Sequence, residues 1–110
     1  MPTNYKILGQ TAATTAATSY DLYTVASSTQ AVVSSIVVCN RDSAAATYRI
    51  SAASAGASIA NSQYLAYDVT VGGSDSTVLT LGITLGATDK IRVYASTVNL
   101  TFTAFGSEIS

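Results

Sequence analysis

The 110-residue sequence predicts an all-β domain, an antiparallel two-sheet β-sandwich of about eight strands with either jelly-roll or immunoglobulin-like topology. Composition is the first reason. Ala, Ser and Thr approach half of the chain, and charged residues are only 10% of it. Small and β-branched residues with few helix-favouring Glu, Lys or Arg argue for strands and polar turns. Short segments of apolar and polar alternation, parted by Gly, Asn, Asp and Ser, are the second reason. The third is residues 30–41, QAVVSSIVVCNR, which are apolar in both phases of a strand. Val32, Ile36 and Val38 are assigned to one face, and Val33, Val37 and Cys39 to the other. A strand apolar on both faces belongs in the middle of a sheet covered by a second layer.

The N-terminal residues 4–8 form a short first strand, with Tyr5 and Ile7 on one side and Lys6 and Leu8 on the other. Residues 10–18, QTAATTAAT, hold no large apolar residue and read as an extended connector or arm. Residues 1–18 are therefore set apart as an N-terminal strand and arm, and residues 19–110 as the sandwich. Alternation resumes over residues 20–25, with Tyr20, Leu22 and Thr24 facing away from Asp21, Tyr23 and Val25. A turn leads into the central strand, and NRDSAA at residues 40–45 makes the next turn. Residues 47–51 give a strand with Tyr48 and Ile50 inward and Arg49 outward.

Residues 52–61 are Ala- and Ser-rich and read as a loop crossing between sheets. A fifth strand over residues 63–68 places Tyr64 and Ala66 on one face and Leu65 and Tyr67 on the other. Val69 and Val71 extend it until Gly72 and Gly73. Thr77, Leu79 and Leu81 alternate with Val78 and Thr80 in a sixth strand, and residues 82–89 carry the chain over. Residues 90–95 alternate with Ile91 and Val93 inward. Residues 98–105 close the series, with Val98, Leu100, Phe102 and Ala104 facing away from Asn99, Thr101, Thr103 and Phe105. An outward Phe105 leaves apolar surface that favours self-association.

One domain of this length buries about 65% of its unfolded surface and needs no staple. Five Lys and Arg stand against six Asp and Glu, for a net charge of −1. Without a basic cluster the chain is a poor partner for nucleic acid or anionic membrane, and its sparsely charged surface suits contact with another protein. No apolar run reaches signal-peptide or membrane-spanning length, so synthesis in a cytosol without membrane insertion is expected. Cys39 is the sole cysteine, reads as a small core hydrophobe and excludes an intrachain disulfide.

The sequence has no histidine, no Gly-x-Ser-x-Gly serine and no paired carboxylates, so no enzyme activity, cofactor or metal is expected. Asp21, Asp42, Asp68, Asp75 and Asp89 are scattered singly and read as turn or strand-end residues. Arg41 and Asp42, adjacent after the central strand, are either a partner-contacting pair or a turn in which Asp42 bonds the backbone. Tyr64 and Tyr67, together with Tyr20, Tyr23, Tyr48 and Tyr94, are candidates for an amphipathic patch that binds a glycan or another protein, although tyrosine also fills half-buried strand positions. Tyr5, Lys6 and Phe105 complete the set of candidate interaction residues. Arg49 and Arg92, outward from strand centres, are expected to be solvated or paired across the sheet.

Read together, YKILGQ at residues 5–10, DLYTV at 21–25, QAVVSSIVVCNR at 30–41, YLAYDVTV at 64–71, LTLGITLGATDKIRVYAS at 79–96 and FGSEI at 105–109 resemble a family of small structural proteins of tailed bacteriophages, frequent in phages of cyanobacteria and other aquatic bacteria. The resemblance covers nearly the whole chain. It implies a virion component, a β-sandwich homotrimer that serves either as a cement or decoration protein on the major capsid protein or as the tip of a tail fibre or spike contacting host-surface glycan. The coreless composition of residues 10–18, following YKILGQ, leads to the expectation of an arm toward a neighbouring subunit. No catalytic residue comes with the family.

Overall fold

The computed structural model describes residues 3–110, with the Leu81 side chain excepted; the first two residues of the expected arm and the facing of Leu81 lie outside what is described. Eight strands follow in order: β1 (Thr3–Ala12), β2 (Thr18–Thr24), β3 (Gln30–Asn40), β4 (Ala46–Ala53), β5 (Tyr64–Val71), β6 (Ser76–Leu85), β7 (Lys90–Ala95) and β8 (Leu100–Ile109). Two short 3₁₀ turns lie between β4 and β5. One sheet has the order β1-β8-β3-β6 and the other β2-β7-β4-β5, with all neighbours antiparallel. The chain changes sheet at every connection except β4 to β5. That strand order is a jelly roll, which decides between the two topologies left open by the sequence.

The core lies between the sheets. Ile36 and Val38 of β3 and Leu100, Phe102 and Ala104 of β8 meet Tyr48 and Ile50 of β4 and Ile91 and Val93 of β7, all buried. Tyr48 and Phe102 cross the gap edge to face, with ring centroids 6.4 Å apart. Buried Asn40 ties one end together. Its Nδ2 donates to the Ala44 carbonyl at 2.8 Å and the Gly72 carbonyl at 3.2 Å, and its Oδ1 accepts from the Asp42 amide at 3.0 Å. At the opposite end Thr3 pairs with Ile109, so the first and last strands finish side by side.

The structure corrects several expectations, and β-bulges cause most of the differences. β3 is central, but it is buried on one face only. A bulge between Val33 and Ser35 reverses the alternation, so Ala31 and Val33 point inward before it and Ile36, Val38 and Asn40 after it. Val32, Val37 and Cys39 share the outer face at partial exposure, and Cys39 is not a core residue. A bulge between Asp21 and Tyr23 turns both Leu22 and Tyr23 inward.

Strand β1 continues through Gln10, Thr11 and Ala12, which were expected to belong to the connector, because main-chain pairing with β8 needs no apolar pattern. β6 likewise runs on through Gly82, whose φ of +59° absorbs a bulge, to Leu85. Residues 52–61 do not cross between sheets but return the chain to pair β5 with β4. β8 begins at Leu100 and extends to Ile109, and Val98 precedes it as an exposed loop residue.

Candidate interaction faces

The outer face of the β1-β8-β3-β6 sheet is a grid of four rows. Tyr5, Ser107, Val32 and Thr84 form the first, and Ile7, Phe105, Ser35 and Thr80 the second. Gln10, Thr103, Val37 and Val78 form the third, and Ala12, Thr101, Cys39 and Ser76 the fourth. No row contains a charged residue. Four large apolar side chains of the face are open to solvent: Tyr5 is 85%, Val78 61%, Ile7 50% and Phe105 37% exposed. Tyr5, Ile7, Val32 and Phe105 line a shallow open groove there, with Ser34 and Gly106. Gly106 allows β8 and β3 to approach beneath it, since a Cβ would lie 2.0 Å from the Val32 carbonyl oxygen.

The charges are elsewhere. Lys6 and Glu108 sit on the inner side of the same sheet, paired at 2.7 Å, and the Tyr23 hydroxyl of the facing sheet donates to Glu108. The Lys6 ammonium, followed by the Tyr23 hydroxyl, holds the Glu108 carboxyl below its usual range, while burial and then Glu108 push the Tyr23 phenol up. Arg41, Asp42, Asp75 and Asp89 occupy the connections at the two ends of the sandwich. Arg41 Nη2 donates to the Val98 carbonyl at 3.1 Å. Asp42 accepts from the Ser43 amide at 2.7 Å and from Asn99 Nδ2 at 3.0 Å. This pair is thus built into the turns around it.

The outer face of β2-β7-β4-β5 carries the remaining charges as ion pairs. Asp21 meets Lys90 at 2.8 Å and Arg92 at 3.2 Å, and Arg49 meets Asp68 at 2.6 Å. Lys90, then Arg92, keep the Asp21 carboxyl below its usual range despite partial desolvation. The Arg49 guanidinium lies 4.2 Å from the Tyr67 ring centroid and 4.1 Å from that of Tyr94. Tyr64 and Tyr67, three residues apart, were assigned to opposite faces. Register shifts between Tyr48 and Ile50 and between Ile50 and Ser51, opposite β5, re-aim them, and their rings meet edge to face at 4.9 Å. Asp68, at φ +51°, completes the cluster.

The candidate interaction residues therefore fall into three places. Tyr5 and Phe105 share the uncharged face, with Lys6 at the rim of the groove. Tyr64 and Tyr67 share the opposite face, and Arg41 and Asp42 lie at one end. Sequence reasoning grouped Tyr94 with the two tyrosines but missed Arg49 and Asp68 as their partners, because the bulges opposite β4 leave no periodic trace; Tyr23 and Tyr48, grouped with them too, are buried in the core instead. Among the described residues, no three His, Cys, Asp or Glu side chains converge on one point, and no helix is long and apolar enough to cross a membrane.

No family model matches the chain, and neither does any curated protein. Among solved structures, the fold is similar to a chain in the structure of infectious bursal disease virus, Gx strain, at a TM-score of 0.54 and 10% identity, over 97% of this chain and 31% of that one. The jelly roll is thus shared with a viral chain. A chain in the structure of the Gt strain of that virus superposes at a TM-score of 0.49 and 10% identity, over 96% of this chain and 31% of the other. This chain spans about a third of the length of the viral chains it matches.

Proposed function

We propose that this chain is a virion structural protein of a bacteriophage, a cement or decoration protein that assembles as a homotrimer on the outer shell and reinforces the major capsid protein. One observation carries the reading: an outer sheet face whose four cross-strand rows hold no charged side chain among the described residues, Lys6 reaching only the rim of its groove, and whose large apolar residues are open to solvent. Desolvating Lys, Arg, Asp or Glu is the main obstacle to packing one protein surface against another, and this face presents none of them. The jelly roll shared with a viral chain and the resemblance to small phage structural proteins support the same reading.

Strand β1 supplies one column of that face, namely Tyr5, Ile7, Gln10 and Ala12. In this reading the outer column of β1 serves assembly, and replacing Tyr5 and Ile7 by serine weakens association and shell binding together while the main-chain pairing with β8 stays in place. A second reading, the tip of a tail fibre or spike, is favoured by the tyrosine cluster on the opposite face. Quantitative mass spectrometry of purified virions, with electron microscopy of labelled particles, separates the two. Many copies spread over the shell are expected, whereas a few copies at the tail would replace the cement role with the tip.

A further inference from the structure

We infer that the cluster of Tyr64, Tyr67, Arg49 and Asp68, with Tyr94 behind it, is a carbohydrate-binding platform for the neutral sugars of a host-surface polysaccharide. The cluster is constructed rather than incidental. Two register shifts within one short edge strand bring Tyr64 and Tyr67 to the same face, and Asp68 takes up a left-handed backbone that a non-glycine residue adopts at a cost. The product is a rigid aromatic surface. Tyr67 is held by the Tyr64 ring at 4.9 Å and the Arg49 guanidinium at 4.2 Å, yet remains 56% exposed.

A pyranose has the complementary chemistry. Its C–H face packs on an aromatic ring, and its hydroxyls bond a carboxylate acceptor and a guanidinium donor held side by side. Asp68 and Arg49 offer that pair beside the ring, 2.6 Å from each other, with the guanidinium over one face of Tyr67. Charge selects among ligand classes. The Arg49–Asp68 pair is neutral overall, and Lys90 and Arg92 share the single carboxylate of Asp21, so the face carries one surplus positive charge, too little to hold a nucleic acid or other polyanion.

The platform lies on the opposite side of the sandwich from the uncharged face, so one face can be packed while the other meets the sugar. Only the origin of the sugar, a bacterial surface, rests on the virion reading; the site itself does not, and it is tested on the isolated protein. Methyl glycosides of hexoses, 6-deoxyhexoses and N-acetylhexosamines are titrated into full-length protein with labelled tyrosine rings, followed by two-dimensional NMR. The expected result is a saturable shift of Tyr64, Tyr67 and Tyr94 with at least one glycoside and none at Tyr5. Tyr67→Ala is expected to weaken binding about tenfold or more. Asp68→Asn, which tolerates the left-handed backbone, should weaken it while keeping the fold. No shift with any glycoside, or shifts that survive Tyr67→Ala, would overturn the assignment, whereas the virion copy number would be unaffected by either result.

Discussion

Replacing Ile7 and Phe105 together by threonine removes the apolar centre of the uncharged face without adding charge. Both residues lie in one cross-strand row with Thr80, so threonine suits the strand geometry of that surface. The inward core of Leu100, Phe102, Ala104 and Ile36 is untouched. Phe105 is 37% exposed, and covering that part of a side chain of roughly 200 Å² removes about 75 Å² from water, about 2 kcal/mol. Ile7 is 50% exposed, and covering its open half adds about 1 kcal/mol. Losing both, about 3 kcal/mol per contact, predicts association roughly 100-fold weaker. Sedimentation velocity over a concentration series measures it, with far-UV circular dichroism as the control for folding. Equal association of the double variant and the parent protein would refute the reasoning that this face is the packing surface.

Acid pH acts on the Lys6–Glu108–Tyr23 contact. Glu108 has a depressed folded-state pKa, so its contribution is in place above the unfolded carboxylate value and is lost as pH falls through the folded one. Glu108→Gln should flatten the acid limb of stability against pH, read from urea midpoints. Gly106→Ala forces a Cβ into the Val32 carbonyl oxygen, and a loss of about 3 kcal/mol or more is expected in equilibrium unfolding. Asn40→Ala leaves the Ala44 and Gly72 carbonyls and the Asp42 amide without their partner, which predicts a loss of about 2 kcal/mol in the same measurement.

The strands were legible wherever the alternation stayed in phase. β7 matches its expected residues 90–95, with Ile91 and Val93 inward, and Tyr48 and Ile50 of β4 are buried as their pattern demands. Arg49 and Arg92 are paired across the sheet, one of the two expected outcomes. Phase was lost at the bulges. An extra residue leaves the local composition unchanged but inverts every facing beyond it, which is why β3 looked apolar on two faces and Tyr64 and Tyr67 looked opposed. The end of β1 was hidden for a different reason. Gln10, Thr11 and Ala12 are held by main-chain bonds to β8, and such bonds are blind to side-chain type. The uncharged face was visible only as sparse charge. Its concentration on one surface depends on strand order, which no local pattern encodes.

The pairing of Thr3 with Ile109 has a consequence for how the fold can be used. Both ends of the described strands leave from one corner, so the domain behaves like a plug on a two-pin socket. It can be spliced into a loop of another protein with little stretching of the host. Because β1 and β8 also supply two of the four columns of the uncharged face, a host joined there lies beside that face. Short linkers at this corner would therefore obstruct packing, and long flexible ones would leave it free.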